Sequence, residues 1–209
     1  DGLAWHLIEE DEKEARFEWV EPQKSYDQEG NLLPNHYEQA ISFSREGSKG
    51  KFDFEKEKKY NIGTSTATVY KADGTTEDFD ACTNPSDPSK YATVPEGRYE
   101  AKVGKHKVNR PGEYTALRMA DVGTTNFYDN TIELGVPNPS APGRTTAKYI
   151  NIHKAGKANY TGLYKNNKGE YNGVSEGCIL IDQNQWDSFI NIFNTPKQKN
   201  NIIGIILLR

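Results

Sequence analysis

Trp186, Phe189, Ile190 and Phe193 recur at i, i+3, i+4 and i+7, placing four large apolar side chains along one stripe of a helix. The spacing predicts a helix over residues 182–194. Asp182 with Gln185 three positions later reads as a capping-box start. Thr195-Pro196 reads as the stop, since proline has no N–H with which to continue the ladder. Elsewhere the pattern is that of strands. Residues 66–70 and 75–81 flank Asp73-Gly74, a dipeptide suited to a hairpin turn. Residues 94–97 read as a Pro/Gly turn leading into a strand over 99–103. Another strand is expected over 130–134, followed by a loop over 135–143 that holds three prolines. Residues 148–153 alternate polar and apolar and end in His153. The closing apolar run, 201–208, suits a central strand.

These elements predict a mainly β domain, a β-sandwich or partly closed barrel, with one firm helix near the C-terminus. Residues 64–209 form the main domain. Residues 1–63 read as an N-terminal extension packing on it, with Trp5, Phe17 and Trp19 as anchors and turn material at 26–30 and 33–35.

Composition narrows the function classes. The 209 residues carry a net charge of −4 with acids and bases interleaved, so no basic stripe marks a nucleic-acid partner. The alternating charges of residues 54–59 read as a solvated face. No apolar run approaches the roughly 20 residues of a membrane span. The chain opens on Asp1 and shows no signal peptide, as expected if a leader has been removed or the chain trimmed. Two cysteines, Cys82 and Cys178, are too few for a disulfide framework.

Chemistry concentrates between Ile152 and Asp182. Ser175-Glu176-Gly177-Cys178 followed by Ile-Leu-Ile puts a thiol at the mouth of a buried strand. Gly177 permits a close approach of a substrate carbonyl and a backbone that other residues resist. The amide of Cys178, with that of Gly177, is placed to face a developing oxyanion. A thiol of ordinary pKa near 8.5 needs a base, and His153 ends a predicted strand before a Gly-, Asn- and Tyr-rich segment that reads as a long exposed loop. Were their strands neighbours, an imidazole titrating near its ordinary 6.5 or so would lie roughly 3 to 4 Å from the thiol and depress its pKa. Packing is the default reading of Cys82. His6, His36 and His106 sit in polar contexts and read as surface residues. His153, Cys178 and Cys82 lack the close-spaced pairs of a zinc site, so no metal is expected. Glu176 reads either as a substrate contact or general acid or as a solvent-facing turn residue. Tyr149, Tyr160, Tyr164 and Tyr171 read either as groove-lining residues or as packing.

The order His153, long loop, Ser-x-Gly-Cys, apolar residue resembles the L,D-transpeptidase (YkuD-type) catalytic domain family. It is most similar to the branch of phage-associated proteins and interbacterial effectors in which Ser-Glu-Gly-Cys-Ile is frequent. Val94-Pro95-Glu96-Gly97-Arg98-Tyr99 resembles the Pro-x-Gly-x-Tyr strand entry of that group. The resemblance implies Cys178 as acyl-accepting nucleophile and His153 as base, with the backbone carbonyl of Lys154 or a near neighbour orienting the ring. It implies peptidoglycan stem peptides as substrate, cleaved through an acyl-enzyme whose acyl group passes to an amine or to water. No cofactor is implied, and the cell envelope, periplasm or exterior is the expected location. Glu176 stands where many members have His, and Leu180 where many have Arg or Asn; Arg118 and Arg144 are candidates to replace that charge. A non-catalytic relative that binds cell-wall glycopeptide or protein in the same groove is the second reading.

Overall fold

The computed structural model describes residues 4–9, 15–20, 28–29, 36–44, 65–83, 85, 89–155, 163–165, 171–173 and 176–208. In chain order the strands are β1 (Ala4–Glu9), β2 (Ala15–Val20), β3 (His36–Tyr37), β4 (Ala40–Ser44), β5 (Ser65–Tyr70), β6 (Thr76–Cys82), β7 (Gly97–His106) and β8 (Tyr114–Asp121). Then come β9 (Thr131–Glu133), β10 (Thr146–Lys148), β11 (Asn151–Lys154), β12 (Leu163–Lys165), β13 (Tyr171–Gly173), β14 (Ile179–Ile181), helix α1 (Trp186–Phe193) and β15 (Ile203–Leu208).

Eight strands close a barrel in the order β11-β14-β6-β5-β4-β15-β7-β8, and β8 returns to β11 through Asn151↔Arg118 and Ile152↔Leu117. The protein is mainly β, and the barrel is fully closed. Alternation along β5 sends Ala67 and Val69 inward, where they meet Ile41, Phe43, Leu117, Ile152, Ile179 and Ile205 in the main core. The apolar stripe of α1 joins this cluster through Trp186, Phe189, Ile190 and Phe193. Strands β4 and β15 are buried on both faces because a small sheet, ordered β2-β1-β3, covers them outside. Trp5, Leu7, Phe17 and Tyr37 there pack on Ala40 and Ile206, and the Trp5 indole N–H donates to the Lys71 carbonyl at 2.9 Å.

Four departures from the sequence expectation have physical causes. The barrel draws β4 from within residues 1–63, so its chain starts well before residue 64. Strand β8 escapes pattern reading because residues 116–120 are all buried, leaving no alternation. The stretch 148–153 divides between β10 and β11, since Tyr149 takes φ +60° and donates its N–H to the Asn130 carbonyl at 3.0 Å. The helix begins at Trp186 without a capping box. Asp182 accepts the Asn184 N–H at 2.7 Å, and the Gln185 side chain instead accepts the Asp80 N–H of β6, also at 2.7 Å.

Trp186 ties the helix to the sheet, with its ring edge-on to Tyr114 at 6.1 Å and 4% of its surface exposed. Trp186→Ala should cost about 3 to 5 kcal/mol of unfolding free energy in denaturant titration. A loss below about 1 kcal/mol would contradict this packing.

Candidate active site

Strand β11 runs parallel to β14 with Ile152 opposite Ile179 and His153 opposite Leu180. Ile152 and Ile179 point into the core. Alternation therefore turns Asn151, His153, Cys178 and Leu180 to the outer face of the barrel. Arg118, paired with Asn151 across β8, shares that face. Cys178 and His153 line one cavity of about 650 Å³.

The thiol is held by backbone. Its sulfur accepts the Asn151 N–H at 3.4 Å and lies 3.7 Å from the Tyr149 carbonyl. That carbonyl is brought there by the left-handed backbone at Tyr149, a conformation unfavourable for a bulky side chain. Gly177 has φ +124°, and a Cβ there would lie 3.0 Å from the Ala92 carbonyl oxygen. The backbone that other residues resist is therefore found here, and the protein's own packing adds a second demand for glycine.

His153 Nδ1 lies 2.9 Å from the Lys154 carbonyl and 3.0 Å from the Tyr114 hydroxyl. A carbonyl only accepts, so this contact assigns the proton to Nδ1 and leaves Nε2 as the basic nitrogen. The His106 ring stacks on His153 with centroids 4.1 Å apart, and His106 Nδ1 is 3.2 Å from the Asn151 amide nitrogen. Asn151 is 4% exposed, and among the described residues its Oδ1 has no hydrogen-bond partner. The imidazole is thus held by the Lys154 carbonyl and the Tyr114 hydroxyl, and the thiol by the backbone of Tyr149 and Asn151.

Electrostatics correct a second expectation. Burial pushes the Cys178 thiol up to about 11; the Asn151 N–H opposes this and the Glu176 charge adds to it. Protein surrounds the sulfur on most sides, although the side chain keeps some surface open to the cavity. Burial pulls His153 down to about 3, helped by His106 and Lys107 and opposed by the Lys154 carbonyl. Both groups are therefore neutral at pH 7, and the thiol is not the depressed one that the sequence suggested. Tyr114, beside the imidazole, is pushed up to about 12, first by burial and then by Cys178.

The other expected residues divide. Lys154 supplies its carbonyl to the imidazole, and its ammonium lies 5.2 Å from the centre of the Tyr114 ring. Glu176 is exposed at the cavity, 3.5 Å from the Tyr91 hydroxyl. Ser175 and Tyr160 lie outside the described residues, as do the side chains of Tyr164 and Tyr171. Tyr149 lines the cavity. The segment expected as one long loop contains the β12–β13 hairpin. Arg118 lines the cavity whereas Leu180 is fully buried. Cys82 is buried opposite Leu180 and forms no disulfide with Cys178.

Three participants were missed: Tyr114, Asn151 and His106. Strand β8 gave no pattern to place Tyr114, and His106 ends a ten-residue strand longer than the sequence indicated. Asn151 was legible only as the residue two before His153, which alternation puts on the same face. His6 and His36, also read as surface residues in irregular contexts, are cross-strand partners in the N-terminal sheet with rings stacked at 4.2 Å. Among the described residues, no group of three or more His, Cys, Asp or Glu is disposed to hold a metal. No helix among them is long and apolar enough to cross a membrane. No family model, curated protein or solved structure matches this chain.

The perturbed pair makes stability pH-dependent at both ends. Between His153's ordinary 6.5 and its folded value of about 3 the unfolded chain binds the extra proton, so stability falls as pH drops through that window. Between 9.0 and about 11 the unfolded Cys178 releases a proton that the folded thiol keeps, so stability falls as pH rises there. Thermal melts should show both losses, with the acid one reduced in His153→Gln and the alkaline one in Cys178→Ala. Curves parallel to wild type would contradict these environments.

Alkylation supplies a kinetic check. Iodoacetamide should modify Cys178 before Cys82, which is 1% exposed, and the rate should still be rising above pH 9. A plateau reached below pH 8.5 would overturn the neutral-thiol assignment.

Proposed function

We propose that the protein is a cysteine acyl-transfer enzyme of the L,D-transpeptidase or L,D-carboxypeptidase type, acting on peptidoglycan stem peptides in the cell envelope or outside the cell. The observation that carries this reading is the placement of Cys178 and His153 on one face of neighbouring parallel strands, opening on a common cavity, with Nδ1 engaged by the Lys154 carbonyl. The substrate assignment rests on the motif resemblance alone.

The chemistry follows from the neutral resting pair. As Sγ attacks a stem-peptide carbonyl, its proton passes to His153 Nε2 and a C–S bond forms. The tetrahedral intermediate collapses with cleavage of the C–N bond, and the imidazolium returns the proton to the leaving amine. A thioester on Cys178 remains. An amine or water then attacks it, giving up a proton to His153; the C–S bond breaks, and the departing thiolate takes that proton from the imidazolium, restoring the neutral pair. The Tyr114 hydroxyl and the Lys154 carbonyl keep the ring in place through the cycle.

A second reading, a module that binds cell-wall glycopeptide or protein with an idle cysteine, is favoured by one observation. Burial holds the thiol up at about 11 and the imidazole down at about 3, so neither is primed at rest.

Muropeptide conversion across pH 6 to 9, with melts alongside, separates the two. Cys178→Ala should abolish turnover at little cost in stability, because thiol-to-methyl removes little volume. His153→Ala should lower turnover by a factor of about 10² to 10⁴, with residual activity that rises with pH. Wild-type rates in Cys178→Ala would end the enzyme reading. Folded proteins that all bind peptidoglycan and convert none of it would establish the binding module.

A further inference from the structure

The chain has a net charge of −4, yet among the described residues the cavity on which Cys178 opens is lined by five cations and one carboxylate, Glu176. Lys148 is paired with Asp129 at 3.2 Å. Among the described residues, no carboxylate lies within ion-pair distance of the other four: Lys105, Lys107, Arg110 and Arg118. The first three are exposed at the cavity, whereas Arg118 is 6% exposed.

Arg118 is built in. Its guanidinium donates to the carbonyls of Phe127, Lys105 and Tyr128 and to the Asn130 side chain, which uses four of its five N–H groups. The tyrosine rings of Tyr128 and Tyr149, 65% and 55% exposed, flank it at 5.5 and 6.0 Å. Space for the side chain comes from Gly104 on β7, where a Cβ would lie 2.6 Å from Arg118 Cδ. Neutral acceptors orient a guanidinium without cancelling its charge. Asp129 acts on this guanidinium from beyond ion-pair distance and is itself paired with Lys148, so an incoming anion still relieves a buried cation. Low-dielectric walls of one sign also focus the field and concentrate ligands of the other sign.

We propose that this cavity selects substrates bearing a carboxylate close to the acyl group that Cys178 attacks, with Arg118 as its seat and Lys105, Lys107 and Arg110 as the funnel leading to it. The proposal rests on Cys178 as the nucleophile but not on the identity of the peptide. Asn151 Oδ1, buried on the same wall and unpartnered among the described residues, supplies an acceptor for an N–H of the same substrate. A carboxylate seated there also opposes the cations that disfavour imidazolium at His153, so the base gains strength when substrate is present.

Two independent arms test it. In the first, the wild-type protein is alkylated with iodoacetate and with iodoacetamide. Both attack the same thiolate, so the ratio of their rates cancels the thiolate fraction. At low ionic strength the iodoacetate-to-iodoacetamide ratio at Cys178 should exceed that of free cysteine by about 10-fold or more. It should fall toward the free-cysteine value in about 0.5 M salt and in the triple variant Lys105→Gln/Lys107→Gln/Arg110→Gln, which leaves the packing of Arg118 intact. In the second arm, calorimetry with Cys178→Ala compares a stem tetrapeptide with its carboxamide counterpart, and the carboxamide should bind at least about 10-fold more weakly. A ratio equal to that of free cysteine, or equal binding of the two peptides, would overturn the proposal. A raised, salt- and variant-sensitive ratio with neither peptide bound would uphold the anion site and remove stem peptides as its substrate.

Discussion

Parallel strands cannot be joined by a tight turn; they need a crossover of a dozen or more residues. The barrel contains such a pair in β11 and β14, and the segment between His153 and Cys178 is its crossover. The site depends on this pairing and its register. With Ile152 and Ile179 committed to the core, alternation leaves Asn151, His153 and Cys178 outside together. A slip of one residue in either strand would drive the imidazole or the thiol into the barrel and an isoleucine out of it. The same apolar side chains that hold the barrel closed therefore hold the two polar groups on one face.

Around that pairing, charge is arranged against ionisation at rest. The sulfur and the imidazole are both enclosed, the Glu176 charge disfavours the thiolate, and Lys107 disfavours the imidazolium. A neutral Cys–His pair is slow until something lowers the cost of moving a proton between the two groups. An anionic substrate in a cationic cavity does this by adding negative charge where imidazolium must form. This links the resting electrostatics to the proposed selectivity, through a buried guanidinium at position 118 that no carboxylate among the described residues pairs directly.

Legibility in the sequence followed periodicity. The stripe of α1 and the Asp73-Gly74 hairpin were readable because the one buries a single face and the other carries a turn residue with a fixed conformational demand, and the terminal strand was readable as a long apolar run closing the chain. Cys178 was readable because small residues precede it and an apolar strand follows. What escaped was structure buried on both faces or set by tertiary contact. Residues 116–120 lack alternation, and β4 resembles an extension until β5 and β15 pair with it. Tyr149 breaks a regular polar–apolar pattern through a positive φ that no local signal announces. The stacking of His106 on His153 joins residues 47 positions apart, and no spacing rule reaches that far. The pKa directions escaped for the same reason, since they arise from enclosure by strands that the sequence left unplaced.

The covalent intermediate itself is the most direct readout of Cys178 as nucleophile. The protein is incubated with purified muropeptides, quenched in acid and measured by intact mass, and the modified peptide is then mapped. An acyl adduct should form in wild type, confined to Cys178, accumulate more slowly in His153→Ala and be absent from Cys178→Ala. Muropeptide turnover without any adduct on Cys178, or an adduct that persists in Cys178→Ala, would contradict Cys178 as the nucleophile.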